Sequence, residues 1–245
     1  MGTTELIILY GDPSTGKTTA FFPDEEAGII GLPPEKLFVV NCAGPGKKFP
    51  VPDNWVEAFR HNKNVSDPKS HMYTAPTLTH ARAALEGVLK GRQDINHILV
   101  DDVGIGSAKR VTGSEAKLEF DDWRKIGVEL QNLINTAMIQ TDRTVFVYLV
   151  FHSQGVGQDQ TRTKVRTPGK LVDDYMGGVE GQVSTVLQSM TSPKLEDPDE
   201  ANYFLRTRAI NGTARSLRGM FPPTLPNDMA KVVEMYCKHQ KIQIP

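Results

Sequence analysis

Apolar residues along this chain fall into two patterns. The first is the short unbroken run, at residues 6–10, 37–41, 95–102 and 143–151. Such runs mark strands buried on both faces, as in a parallel sheet. The second is the helical stripe. Leu78, Ala81, Leu85, Val88 and Leu89 recur at helical spacing over 77–90. Phe120, Trp123, Ile126, Leu130, Leu133, Ile134, Ala137 and Met138 do so over 120–140. Trp123 reads as a core anchor rather than a stacking platform. Strands alternating with helices predict an α/β fold, a mostly parallel central sheet flanked by helices.

The C-terminal third changes character. An apolar run at 181–190, an acidic turn at 193–200 and a return at 203–208 predict a β-hairpin. Pro222, Pro223 and Pro226 then punctuate the chain before a final helix. Asn227 or Asp228 caps that helix, and Met229, Val232, Val233 and Tyr236 form its buried face. Three polar stretches interrupt the pattern. Residues 42–76 read as a long irregular segment, either a surface loop or a functional insertion. Residues 104–118 are small and polar, a loop beside the site. Residues 155–169 carry Arg162, Lys164 and Arg166, with Lys170 following. They suit a DNA-facing loop or an ordinary solvated charge run.

The chemistry gathers at the end of the first strand. Gly11-Asp12-Pro13-Ser14-Thr15-Gly16-Lys17-Thr18 spells G-x-x-x-x-G-K-T, the Walker A phosphate loop. Backbone N–H groups cradle a triphosphate only where no side chain blocks their approach, hence Gly11 and Gly16. Lys17 is placed for the β- and γ-phosphates, and the Thr18 hydroxyl for Mg²⁺. A helix opening over 18–22 would aim its positive end at the phosphates, with Thr19 in its first turn. Ile98-Leu99-Val100-Asp101-Asp102 is an apolar strand ending in acid, the Walker B pattern. Asp101 would hold the Mg²⁺ hydration shell, and Asp102 would orient or deprotonate the attacking water. His152 follows the next strand, where a sensor of the γ-phosphate is expected, with Gln154 as second choice.

Asp101-x-x-Gly104 and Ser107-Ala108-Lys109 also mimic GTPase motifs. No N-K-x-D guanine reader follows, so adenine is the expected base.

The 245 residues suffice for a single α/β domain over 1–245. A net charge of -1 excludes a generally basic nucleic-acid coat, though not a local basic groove. Cys42 and Cys237 lie far apart with no C-x-x-C pair, so neither zinc nor a disulfide framework is expected. No signal peptide or membrane span stands out, and Leu6 stands where a myristoylation motif needs Ser or Thr. A cytoplasmic protein with no membrane partner is expected.

The order of Walker A, a Walker B Asp, a polar-ended strand and a basic hairpin resembles RecA-type ATPases of the additional-strand class. More closely, the chain is similar to phage-encoded P-loop ATPases related to RecA-like single-strand-annealing recombinases. The supporting phrases are Gly46-Lys47-Lys48-Phe49-Pro50, Thr167-Pro168-Gly169-Lys170, Thr213-Ala214-Arg215, Gly219-Met220-Phe221 and Pro226-Asn227-Asp228. The resemblance implies a RecA-like fold with ATP and Mg²⁺ as cofactors. It also implies a homo-oligomer acting on single-stranded DNA in phage recombination or replication, in the host cytoplasm. Two other classes stay open: a nucleotide-gated loading protein with little turnover, and a P-loop phosphotransferase. Such ATPases often keep a catalytic Glu at the end of the second strand, where this chain has Asn41. Arg206-Thr207-Arg208, followed by Asn211-Gly212, resembles a helicase segment that reaches a neighbouring subunit's γ-phosphate. Arg206 and Arg208, two apart on the expected strand, would leave one face together. The plainer alternative is ion pairing with Glu196, Asp197, Asp199 and Glu200 across the hairpin.

Overall fold

A computed structural model describes residues 2–106, 120–156, 162–167, 178–193, 201–209 and 212–245. The apolar runs become the centre of one mixed sheet. Its strands are β1 (Thr4–Gly11), β2 (Leu37–Asn41), β3 (Met72–Thr74), β4 (His97–Asp101) and β5 (Val145–Val156). They continue as β6 (Arg162–Val165), β7 (Thr185–Pro193), β8 (Ala201–Arg206) and β9 (Thr224–Pro226). The order across the sheet is β3-β2-β4-β5-β1-β7-β8-β9, with β6 paired to β5 alone. From β3 to β7 every neighbour is parallel, and β8 and β9 add antiparallel. One strand, β5, therefore stands between the Walker A strand and the Walker B strand.

Side-chain alternation divides the sheet into two apolar faces. Ile8, Val100, Val147 and Leu149 pack on one side with Leu85 and Val88 of α1 (Leu78–Gly91) and Leu130, Leu133 and Ile134 of α2 (Phe120–Ala137). Ile7, Leu9, Leu99, Tyr148 and Val150 pack on the other with Phe21, Phe22 and α3 (Met229–Gln240). Each such side chain contributes roughly 1.5–3 kcal/mol by burial. Thr77 caps α1, its side chain accepting from His80 N–H, and Asp228 caps α3 in the same way from Ala230 N–H.

Four sequence expectations change. No α-helix follows the phosphate loop: the chain makes only a three-residue 3-10 turn, Thr19–Phe21. Pro23 explains this. It offers no N–H to a helix and drives Phe22 into extended backbone at φ -112°, ψ 145°. The 42–76 stretch is not wholly irregular, because β3 emerges from it and pairs with β2 through Val39, Val40 and Asn41. Its Phe59 is buried and Phe49, Val51 and Trp55 pack against the core. Trp123 stays outside the core, and Met138 is exposed beyond the end of α2. The hairpin of β7 and β8 forms, but β8 stops at Arg206, so Arg206 and Arg208 do not share a strand face. The turn residues 194–200 lie outside the described residues, as do Ser107, Ala108, Lys109 and Lys170.

Candidate nucleotide-binding site

Parallel pairing brings the carboxyl ends of β1, β2, β4 and β5 to one edge. In register, Gly11 sits opposite His152 and Asn41 opposite Asp101. Such an edge is where ligands bind in open α/β sheets. A cavity of about 520 Å³ opens there, lined by Pro13, Ser14, Gly16, Lys17, Thr18, Thr19, Lys47, Asp102 and His152, among others.

The phosphate loop is shaped by its small residues. Ser14 and Gly16 hold left-handed backbone, at φ 63° and 78°. A Cβ on Gly11 would stand 2.4 Å from Ser189 O. Thr15 Oγ1 donates to Asp12 O at 2.9 Å, and Ser189 Oγ donates to Thr15 O at 2.5 Å. Ser153 Oγ also donates to Asp12 Oδ1. Lys17 is 7% exposed and turns back on its own loop, donating to Gly11 O at 3.0 Å and Asp12 O at 2.5 Å. Burial lowers its pKa, against the pull of Asp102 and Asp101. With no α-helix behind the loop, the positive charge at this edge comes from loop N–H groups and lysines rather than from a helix macrodipole.

Across β5 the two Walker elements meet. Thr18 Oγ1 donates to Asp101 Oδ1 at 3.3 Å, although Thr18 lies in the loop after β1 and Asp101 ends β4, strands that are not neighbours. Asp101 is fully buried at the end of β4. Asp102 follows at φ 56°, a strained position that costs about 1–3 kcal/mol for a non-glycine residue. That turn presents its carboxylate to two cations or donors at once. Asp102 Oδ1 lies 3.2 Å from His152 Nε2, and Oδ2 lies 2.6 Å from Lys47 Nζ. Burial raises the Asp102 pKa, but the hydrogen bonds from His152 and Lys47 outweigh it and leave it at about 2.

Lys47 is the residue that sequence reasoning missed. Its ammonium touches Asp101 Oδ2 and Asp102 Oδ2, both at 2.6 Å, and donates to Thr18 Oγ1 at 3.3 Å. Burial opposes its charge, yet the two carboxylates prevail and raise its pKa. Burial also pushes Asp101 up, against the pull of Lys47. The only sequence signal was its place in a glycine-flanked phrase, Gly44-Pro45-Gly46-Lys47. Asn227 was missed as a site residue too: its Nδ2 donates to Gly16 O at 2.8 Å. Tyr203 joins it on the cavity wall.

Other expected residues lie elsewhere. Asn41 closes its own turn, donating to Gly44 O at 2.8 Å and accepting from Ala43 N–H at 2.9 Å. Gln154 is exposed on the ribbon of β5 and β6. Arg206 pairs with Gln188, one position inside the Ser189 that faces Gly11, and the chain then runs away from the loop. Arg208 is exposed, and its Nη2 donates to Phe221 O at 3.5 Å. Neither arginine lines the cavity of its own chain.

The donors at Thr18 and Asp101 fit Mg²⁺, a hard cation that takes one or two protein oxygens and completes its octahedron with water and phosphate. The described residues contain no group of three or more His, Cys, Asp or Glu side chains able to hold a metal by themselves. No described helix is long and apolar enough to cross a membrane. No protein-family model matches this chain, and no curated protein matches its sequence.

Proposed function

We propose that this chain is a RecA-like P-loop ATPase that binds ATP with Mg²⁺ and hydrolyses it, as an oligomer on single-stranded DNA in phage recombination or replication. The observation that carries the reading is the meeting of Thr18 and Asp101 at 3.3 Å across an interposed strand. A chance glycine loop has no reason to converge on a buried carboxylate from a non-neighbouring strand. Thr18 and Asp101 would hold the metal, which when bound neutralises charge on the phosphates. Lys17 would leave the carbonyls of Gly11 and Asp12 for the β- and γ-phosphates. His152, level with Gly11 and bonded to Asp102, stands where the terminal phosphate would end. The ribbon of β5 and β6 exposes Arg162 and Arg166, a small basic surface suited to a nucleic-acid backbone.

A second reading, nucleotide-gated binding with little turnover, has its own support. Asn41 is committed to a turn, and both carboxylate oxygens of Asp102 are occupied. A carboxylate held at a pKa of about 2 is a weak base for water.

One experiment separates the readings: phosphate release from ATP, with and without single-stranded DNA, beside equilibrium binding of ATP. Turnover that DNA stimulates supports the ATPase. Tight binding with negligible turnover supports the gated protein. No ATP binding ends both.

A further inference from the structure

Lys47 sits where the metal should be. Its ammonium is bound by three oxygens: Asp101 Oδ2 and Asp102 Oδ2 at 2.6 Å and Thr18 Oγ1 at 3.3 Å. Thr18 and Asp101 are the two residues proposed to hold Mg²⁺. A lysine ammonium is a compact point charge with three donors. Here it satisfies a hydroxyl and two carboxylates that would otherwise be buried without a cation.

The lysine and a divalent ion cannot share this position. A doubly charged ion outcompetes one ammonium for two carboxylates when phosphate oxygens complete its shell. Lys47 then has to move, and the surroundings allow it. Gly44 has left-handed backbone at φ 126°, and a side chain at Gly46 would meet no atom within 4 Å. The side chain stands between the 520 Å³ cavity and a second hollow of about 420 Å³ that Lys48, Phe49 and Arg60 help to line. Its ammonium already lies 5.7 Å from the Phe49 ring centroid, so a short swing keeps its stem packed. A triphosphate arriving with the metal would offer the displaced ammonium an anionic partner at the same cavity.

We propose that Lys47 is a second nucleotide-binding lysine, which plugs the divalent-cation position until Mg²⁺ and ATP arrive and then transfers to the terminal phosphate. This rests on the nucleotide-binding reading above and deepens it. The transfer does two things. It releases Asp102 Oδ2, freeing that carboxylate to orient water. It also makes the γ-phosphate, which ADP lacks, the condition for clearing the metal site.

The test starts without nucleotide. Mn²⁺ binding is followed by the loss of its free-ion electron paramagnetic resonance signal. Lys47→Met should bind Mn²⁺ at least about tenfold more tightly than the wild type, because the competing ammonium is gone. Lys47→Arg, which keeps the charge, and Lys48→Met, which leaves the plug in place, should match the wild type. With Mg²⁺ present, the wild type should prefer a non-hydrolysable ATP analogue over ADP, and Lys47→Met should lose about tenfold of that preference. Equal Mn²⁺ affinity in the wild type and Lys47→Met overturns the plug, as does an equal gain in Lys48→Met. A preserved ATP preference in Lys47→Met overturns the transfer. A wild type that binds no nucleotide defeats the function proposed above, yet the Mn²⁺ comparison still decides the plug.

Discussion

Cations near the opposite ends of β4 show how partners decide what a charge does. At the amino end Arg92 is 2% exposed. It donates to Asp67 O at 2.7 Å and Ser70 O at 2.8 Å, and it forks onto Asp94 at 2.9 and 2.7 Å. Arg143 closes the same corner, donating to Arg92 O at 2.6 Å and Ile95 O at 3.1 Å. The Arg92 guanidinium is matched largely by backbone carbonyls, and it does not line the cavity at the carboxyl edge. At the carboxyl end, Lys17 is held by the carbonyls of Gly11 and Asp12 and Lys47 by side chains, beside open space. The first arrangement ties β4, α1 and the 62–70 segment together. The second holds charge in a form that an incoming polyanion can take over. Burial alone does not separate them, because Lys17 is also 7% exposed.

The largest expected effect extends the comparison to an exposed cation, Arg208. If Arg208 completes a neighbour's site, Arg208→Ala should bind ATP normally and lose about 10³–10⁵ in turnover. Wild-type turnover per subunit should rise with protein concentration, and mixing Arg208→Ala with Lys17→Ala should restore some activity. Full specific activity from a monomer at high dilution removes the role.

The next two mutations invert one another. Arg92→Ala should cost about 3–5 kcal/mol of stability, because it leaves carbonyls and Asp94 without their cation. Denaturant titration reads that loss, and ATP affinity per folded molecule should be unchanged. Lys17→Ala should cost about 2–4 kcal/mol at the transition state, read as turnover, with under about 1 kcal/mol of stability change. If Lys17→Ala unfolds the protein or Arg92→Ala specifically abolishes ATP binding, the division fails.

Mild acid should probe the amino end through His97. His97 is buried beside Tyr148 Oη at 3.1 Å, and burial, then Lys36, lowers its pKa to about 3. The unfolded chain, with a His pKa of about 6.5, takes up the proton first. The stability from neutral His97 is therefore complete above about pH 6.5 and is lost as pH falls toward 3. The slope approaches about 1.4 kcal/mol per unit, or about 2 kcal/mol by pH 5. Unfolding free energies measured from pH 7 to 5 should show it. His97→Gln, which keeps a polar atom for Tyr148, should reduce it, leaving the share of His71, whose pKa burial also lowers.

Much of this architecture was legible because parallel strands are buried on both faces. The runs ending at Tyr10, Asn41, Asp101 and Phe151 needed no tertiary information to be found. The Walker A loop and Asp101 were legible because their chemistry restricts residue type. What escaped depended on neighbours or on chain stops. Pro23 already forbade a helix after the loop, but the motif's usual context masked it. The short β3 carries too few apolar residues to show a period and forms only because β2 offers an edge. The Arg206–Arg208 pairing assumed a strand that continued, whereas β8 ends at Arg206. The role of Lys47 was not legible, because a glycine-flanked phrase does not say that its lysine will cross 55 residues of sequence to reach Asp102.

The smallest expected effect concerns Asn227, a fixed contact placed at the exchangeable edge. It is 4% exposed, and its Nδ2 donates to Gly16 O at 2.8 Å. Its neighbour Asp228 caps α3 while also accepting from Ile30 N–H at 3.0 Å and Gly31 N–H at 3.2 Å. The start of α3 therefore anchors both the phosphate loop and the chain that leaves it. No helix follows the loop, so this anchor takes over part of the work of holding Gly16 in its left-handed form. Asn227 Oδ1 is buried with no hydrogen-bond partner among the described residues, so the amide gives the bond to Gly16 alone there. Asn227→Ala removes a neutral hydrogen bond worth about 1 kcal/mol. ATP affinity should fall about fivefold. The melting temperature should move little, since the α3 cap at Asp228 survives. Asn227→Asp should be worse for binding, because it turns a donor toward Gly16 O into a carboxylate beside an incoming triphosphate. Calorimetric titration of the two variants with ATP orders them. If both bind ATP as tightly as the wild type, the loop holds its shape unaided, and fixed contacts belong to the amino end only.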